Sequence, residues 1–105
     1  MGQFAIIAEH SPDLCPSANA KVRKLLAEGA AQIPALAEKL GIKIVTLNAL
    51  GPEHLILGVM EADDIETVRD FVMQSGLVQW NTVRVNATWT LEEAMAKSAS
   101  LEPIF

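Results

Sequence analysis

Apolar and polar positions divide this chain into a regular succession of elements. Phe4 to Ala8 (FAIIA) is a short continuous apolar run stopped by Glu9, His10 and the turn-forming Ser11-Pro12-Asp13, and it reads as a strand buried on both faces. Past Cys15-Pro16-Ser17, apolar residues recur at three- and four-residue spacing: Val22, Leu25, Leu26, Ile33, Leu36, Ala37 and Leu40. That spacing predicts a helix with one buried stripe, closed by Gly41. Pro34 lies inside it, and a proline there removes a helix hydrogen bond, so a kink or two abutting helices are expected. Ile42 to Leu47 (IKIVTL) then predicts a second strand, Asn48 to Pro52 a hairpin loop, and Leu55 to Met60 (LILGVM) a third strand, again apolar on both sides. Asp63 or Asp64 is placed to cap a helix that buries Ile65, Val68, Phe71 and Val72 and ends at Gly76. Val78 to Ala87 alternates from Thr82 onward and predicts a half-exposed fourth strand. Thr90-Leu91-Glu92-Glu93 forms a capping box for a last helix that turns Leu91, Ala94 and Met95 inward.

The order is β-α-β-β-α-β with a trailing helix, one α+β domain over residues 1–105 of the ferredoxin-like, split-βαβ kind. In that topology the first and third strands are central. They are also the two runs apolar on both sides, while the second and fourth carry Lys43, Thr46, Arg84 and Asn86, as edges do. Two helices cover only one face of such a sheet. The other face would stay apolar and open, so a second copy packed sheet to sheet is expected: a homodimer or an assembly of dimers, with the last helix or the Ile104-Phe105 tail reaching across. A monomer with the last helix folded over the open face is the alternative.

Composition narrows the partners. With 8 Lys+Arg against 13 Asp+Glu the net charge is −5, which disfavours nucleic acid and anionic membranes, since both reward a positive field. One cysteine excludes an intramolecular disulfide, and the start MGQFAIIAEH lacks the basic segment and long apolar run of a signal peptide, so a cytoplasmic location is expected. No P-loop, GxGxxG after a strand, CxxC, HExxH or GxSxG is present, which leaves no nucleotide or flavin signature.

A βαββαβ chain with a doubly apolar sheet and a trailing helix resembles the dimeric α/β-barrel superfamily, which includes muconolactone isomerase-like proteins, antibiotic-biosynthesis-type monooxygenases and small uncharacterised domains. The resemblance covers nearly the whole chain and rests on pattern. It implies a pocket between sheet and helices or within the barrel; because such folds host unrelated chemistries, it assigns no function and no residue.

The same topology gathers the chemistry. The first strand ends at Glu9-His10 and the third begins at Glu53-His54, so antiparallel pairing brings both histidines to one end of the sheet. Cys15 follows in the loop leading to the first helix, and Trp80, at the start of the fourth strand, comes to the same end. Two imidazoles and a thiolate suit zinc, copper or nickel and leave a coordination position open; Glu9, Glu53 or Asp13 would complete the shell or hold a histidine from behind. Without a metal, His10 or His54 offers a catalytic acid or base for a small apolar or aromatic substrate, in an isomerase- or monooxygenase-like enzyme that needs no cofactor. An accessory or assembly protein without chemistry is the third class. Trp80, Phe4 and Met60, with Trp89, Phe71 and Met73, are candidates to line a ligand pocket, with Arg84 to orient an anionic group.

Overall fold

Strand β1 (Gly2–Glu9) lies between β3 (Leu55–Ala62) and β4 (Thr82–Ala87), and β2 (Lys43–Leu50) pairs with the far side of β3. The computed structural model describes residues 1–105. All three pairings are antiparallel and the order is β2-β3-β1-β4, so the two strands apolar on both sides are the inner ones. The result is an α+β domain with an open four-stranded sheet and three helices, compatible with a ferredoxin-like fold.

Strand parity sorts the side chains. Phe4, Ile6 and Ala8 of β1, Ile56, Met60 and Ala62 of β3, and Val83 and Val85 of β4 share the face on which the helices pack. There they meet Val22 and Ala37 of α1 (Ala20–Leu40) and Val68, Phe71 and Val72 of α2 (Ile65–Gln74) in one core. Phe71, Ile6, Met60 and Val68 are fully enclosed. The intervening residues Ala5 and Ile7 of β1 and Leu57 and Val59 of β3 look out from the opposite face, where no helix covers them, and are only half-buried or exposed.

Helix α1 begins at Asn19, whose side chain accepts from the backbone N–H groups of Lys21 and Val22, and ends at Gly41 in the left-handed region (φ 69°). It is one uninterrupted helix of 21 residues, not two. Pro34 and Ala30 are both exposed, so the carbonyl that loses its donor meets water and the helix survives.

Three other expectations are corrected. β2 continues through Asn48 and Ala49, which pair with Leu57 and Ile56, so the hairpin turn is Gly51 to His54 and not Asn48 to Pro52. Pairing with β3 outweighs the local turn preference of Asn48, and a bulge between Ile44 and Thr46 absorbs the register. Residues Leu77–Gln79 form a 3-10 turn because Leu77 is drawn into the core, and β4 starts only at Thr82. Helix α3 (Leu91–Ala99) has the expected capping box, Thr90 with Glu93, but of the three residues expected inward only Ala94 is half-buried: Leu91 is 77% and Met95 64% exposed. The helix therefore does not cover the open face of its own sheet. No helix is long and apolar enough to cross a membrane.

Candidate metal centre

The pairing registers run one step past the strand ends. Glu9 lies opposite Leu55 of β3 and Thr82 of β4. The next position along β1 therefore places His10 opposite His54 on one side and Asn81 on the other, and the His10 N–H donates to the His54 carbonyl at 3.2 Å. Parity then decides direction. His10 continues the series Phe4, Ile6, Ala8; His54 precedes Ile56; Asn81 precedes Val83. All three side chains fall on the face covered by the helices. Glu9 falls on the opposite face and is exposed, as are Glu53 in the turn and Asp13.

Cys15 reaches the same place from the connection between β1 and α1. The 3-10 turn Pro12–Leu14 turns the chain, and the Cys15 carbonyl accepts from the N–H groups of Ala18 and Asn19 at 2.9 Å each. Arg23, in the first turn of α1, reaches back to donate to the carbonyls of Pro16 (2.8 Å) and Ser17 (3.3 Å). The loop is thus fastened to the helix it introduces, and the Cys15 side chain is buried against the sheet end.

His10, Cys15 and His54 each present one ligating atom, and these atoms all lie within 4.8 Å of one another, a set positioned to hold a metal ion. The hydrogen bonding around them is one-sided. His10 Nδ1 lies 3.0 Å from Asn81 Oδ1, while Asn81 Nδ2 donates to the Leu77 carbonyl at 3.1 Å. The second bond orients the amide with its oxygen toward the histidine. Nδ1 of His10 therefore carries the proton, and the lone pair sits on Nε2. That Nε2 is buried and has no hydrogen-bond partner, and neither has the buried Nδ1 of His54. Leaving two such atoms unpaired costs about 1–3 kcal/mol each, a cost that a bound ion would offset.

The backbone at His54 carries strain in the same direction. Its φ is 57°, the one left-handed residue in the chain other than glycine, and the conformation costs about 1–2 kcal/mol for a residue with a Cβ. The turn bond from the His54 N–H to the Gly51 carbonyl (3.2 Å) and the bond from its carbonyl to His10 hold it there.

Around Cys15 the environment favours the thiolate. Ser17 lies 2.9 Å from Sγ, and chiefly its hydroxyl and then its backbone N–H lower the thiol from 9.0 to about 6 against the opposing effect of desolvation. The Cys15 sulfur stands between the two imidazoles, with the ligating atoms of all three residues within 4.8 Å of one another. Trp80 closes one side, its ring centroid 5.1 Å from that of His10, and the two histidine rings meet edge to face at 5.4 Å.

The proposed ligand pocket does not assemble as one unit. Trp80 joins the histidines. Phe4 and Met60 pair across β1 and β3 six residues from His10, about 20 Å away at the rise of a strand, and are core. Phe71 is core as well, Trp89 and Met73 are exposed, and Arg84 is exposed opposite Ile7 on the open face. A cleft of about 220 Å³ does occur, but beside the metal-ligating set: His10, Cys15, Ser17 and Trp80 share its wall with Leu26, Leu50, Leu55 and Ile56. Sequence reading missed Asn81 and Arg23. Asn81 is found only by counting the β1–β4 register, and Arg23 carries no signal along the sequence. No protein-family model matches the chain, and no curated protein shows significant similarity to it.

Proposed function

We propose that this protein binds a divalent transition metal, with His10 Nε2, Cys15 Sγ and His54 as the protein ligands. One observation carries the reading. Two histidines, each with a buried ring nitrogen that has no partner, present ligating atoms within 4.8 Å of Cys15 Sγ, and the first is backed by an oriented amide. A histidine ligand that donates its other N–H to an oxygen is the usual arrangement around a metal. Two imidazoles and a thiolate suit zinc, copper or nickel, and three protein ligands leave a fourth position for water or a ligand. Glu9, Glu53 and Asp13 take no part in this proposal.

The domain is proposed to work as a ferredoxin-like unit paired with a second copy. The supporting observations are the half-buried apolar row Ala5, Ile7 and Val59 on the uncovered face and the outward Leu91 and Met95 of α3, two apolar surfaces that one chain leaves unused. Light scattering that finds a monomer at micromolar concentration overturns the pairing.

Elemental analysis of untagged protein tests the metal reading. Near-stoichiometric zinc, copper or nickel is expected, or uptake on titration, lost in Cys15→Ala and His10→Ala. Binding by those variants as tight as that of the parent overturns it. A second reading has its own support in the apolar cleft beside His10: a metal-free enzyme using His10 or His54 as acid or base on a small apolar substrate. It requires activity that survives exhaustive chelation and a pH–rate profile whose near-neutral limb disappears in the histidine variant.

A further inference from the structure

The cleft beside the metal-ligating set has a composition that selects its occupant. Leu26, Ala49, Leu50, Leu55, Ile56 and Trp80 give it a mostly apolar lining, and no lysine, arginine, aspartate or glutamate is among the residues that form it. Apart from the Trp80 indole, the polar side chains of its lining are His10, Cys15 and Ser17. Two of the three ligating residues thus belong to both the site and the cleft wall, so an ion held there borders the cleft.

Charge then constrains the fourth ligand. Two neutral imidazoles and one thiolate contribute −1, and a divalent ion brings the centre to +1. No other side chain of the cleft balances that charge, and its apolar wall strengthens the attraction for an anion. Size constrains the rest of the ligand. About 220 Å³ is below the roughly 300–1,000 Å³ of cavities that hold drug-sized molecules, yet a cavity of about 150 Å³ already admits a benzene ring.

We infer that the cleft binds a small monoanion, a carboxylate or thiolate on an apolar body the size of one phenyl ring, with its donor atom in the open coordination position of the metal. This deepens the metal reading of the same site and rests on it. The body lies along Leu26, Leu50 and Trp80, and affinity comes from two sources: coordination of the anion and removal of the apolar body from water.

Cobalt(II) separates the two readings, because its visible spectrum reports thiolate ligation and coordination number independently. The protein is loaded with cobalt(II) and titrated with benzoate, thiophenol, acetate and benzamide. A sulfur-to-cobalt charge-transfer band is expected, with visible bands that shift on adding benzoate or thiophenol. Acetate should bind at least about tenfold more weakly than benzoate, since burial of two methylene equivalents already changes an equilibrium constant that much. Benzamide, which carries no charge, should leave the spectrum unchanged. Ala49→Trp, an exposed position of the edge strand that fills the cleft from outside, should keep the charge-transfer band and weaken benzoate at least tenfold. A charge-transfer band that no anion perturbs at millimolar concentration overturns the ligand inference and leaves the metal site standing. Equal affinity for acetate and benzoate overturns the role of the cleft. Absence of the band overturns the metal reading, and the ligand inference with it.

Discussion

Replacing Asn81 by alanine isolates the effect of a residue that touches the proposed metal only through another. Its side chain accepts from His10 Nδ1 at 3.0 Å and donates to the Leu77 carbonyl at 3.1 Å. The Leu77 carbonyl also accepts from the backbone N–H groups of Trp80 and Asn81, so it remains paired in the variant. The damage therefore falls on His10, whose Nδ1–H loses its acceptor in a part-buried position and whose ring is no longer held in one tautomer. For the protein without metal, one polar group left unpaired costs about 1–3 kcal/mol, or several degrees of Tm in a domain of this size. For the metal complex, loss of such a backing bond costs about 10–100-fold in affinity. Competition of zinc against a chromophoric chelator measures the second quantity directly. Asn81→Asp keeps the shape and the acceptor toward His10 and adds a negative charge behind the imidazole, at the loss of the donation to the Leu77 carbonyl, so its zinc affinity should lie well above that of Asn81→Ala. Affinities of Asn81→Ala and the parent that agree within twofold refute the assignment of His10 Nε2 as a ligand, whatever happens to stability.

Four further outcomes follow from the geometry. Metal-free protein should show thiolate absorbance near 240 nm with a midpoint close to pH 6, moved upward in Ser17→Ala. Because the folded thiol is lowered from 9.0 to about 6, the unfolded chain binds more protons in that interval; stability should rise with pH from 6 to 9, be fully present above 9, and be lost as pH falls through 6, as read from urea midpoints. His54→Gly should abolish metal uptake yet leave the metal-free Tm unchanged or raised, since glycine relieves the φ of 57° and removes a buried nitrogen without a partner; a fall of several degrees contradicts the strain argument. Gly58→Ala should lower stability by about 1–3 kcal/mol in urea unfolding, because its Cβ would stand 2.8 Å from Ile6 Cγ1 and 2.9 Å from Leu47 Cδ1 in the centre of the sheet; a neutral result means that β2 can give way.

Much of the fold is legible in the spacing of apolar residues, because burial imposes period two on strands and near-four on helices wherever the chain runs. The doubly apolar runs at Phe4 to Ala8 and Leu55 to Met60 mark the inner strands, and the structure places them there. Boundaries were less legible. Asn48 and Ala49 look like a turn locally and pair as a strand, and Val78 looks like a strand and sits in a 3-10 turn, because in both places a distant partner outweighs a weak local preference. The inward side of α3 was misread for a related reason: a capping box specifies where a helix starts and nothing about what it packs against.

The candidate site divides in the same way. Sequence order and strand topology were enough to bring His10, His54 and Cys15 to one end of the sheet, since antiparallel neighbours must place the end of one strand beside the start of the next. They did not say which side chains share a face there. Glu9 and Glu53 are as close along the chain as the histidines and lie outside the cluster, and Phe4, Met60 and Arg84 do not line the cleft beside it. Only the tertiary structure decided these points, because a shift of one residue in pairing moves every side chain to the opposite face. With the observed register, His10 meets His54 and Asn81 on the covered side, and the amide of Asn81 determines which histidine nitrogen is free. The residue types were written in the sequence; which of their atoms face one another depends on register and on the orientation of one buried amide.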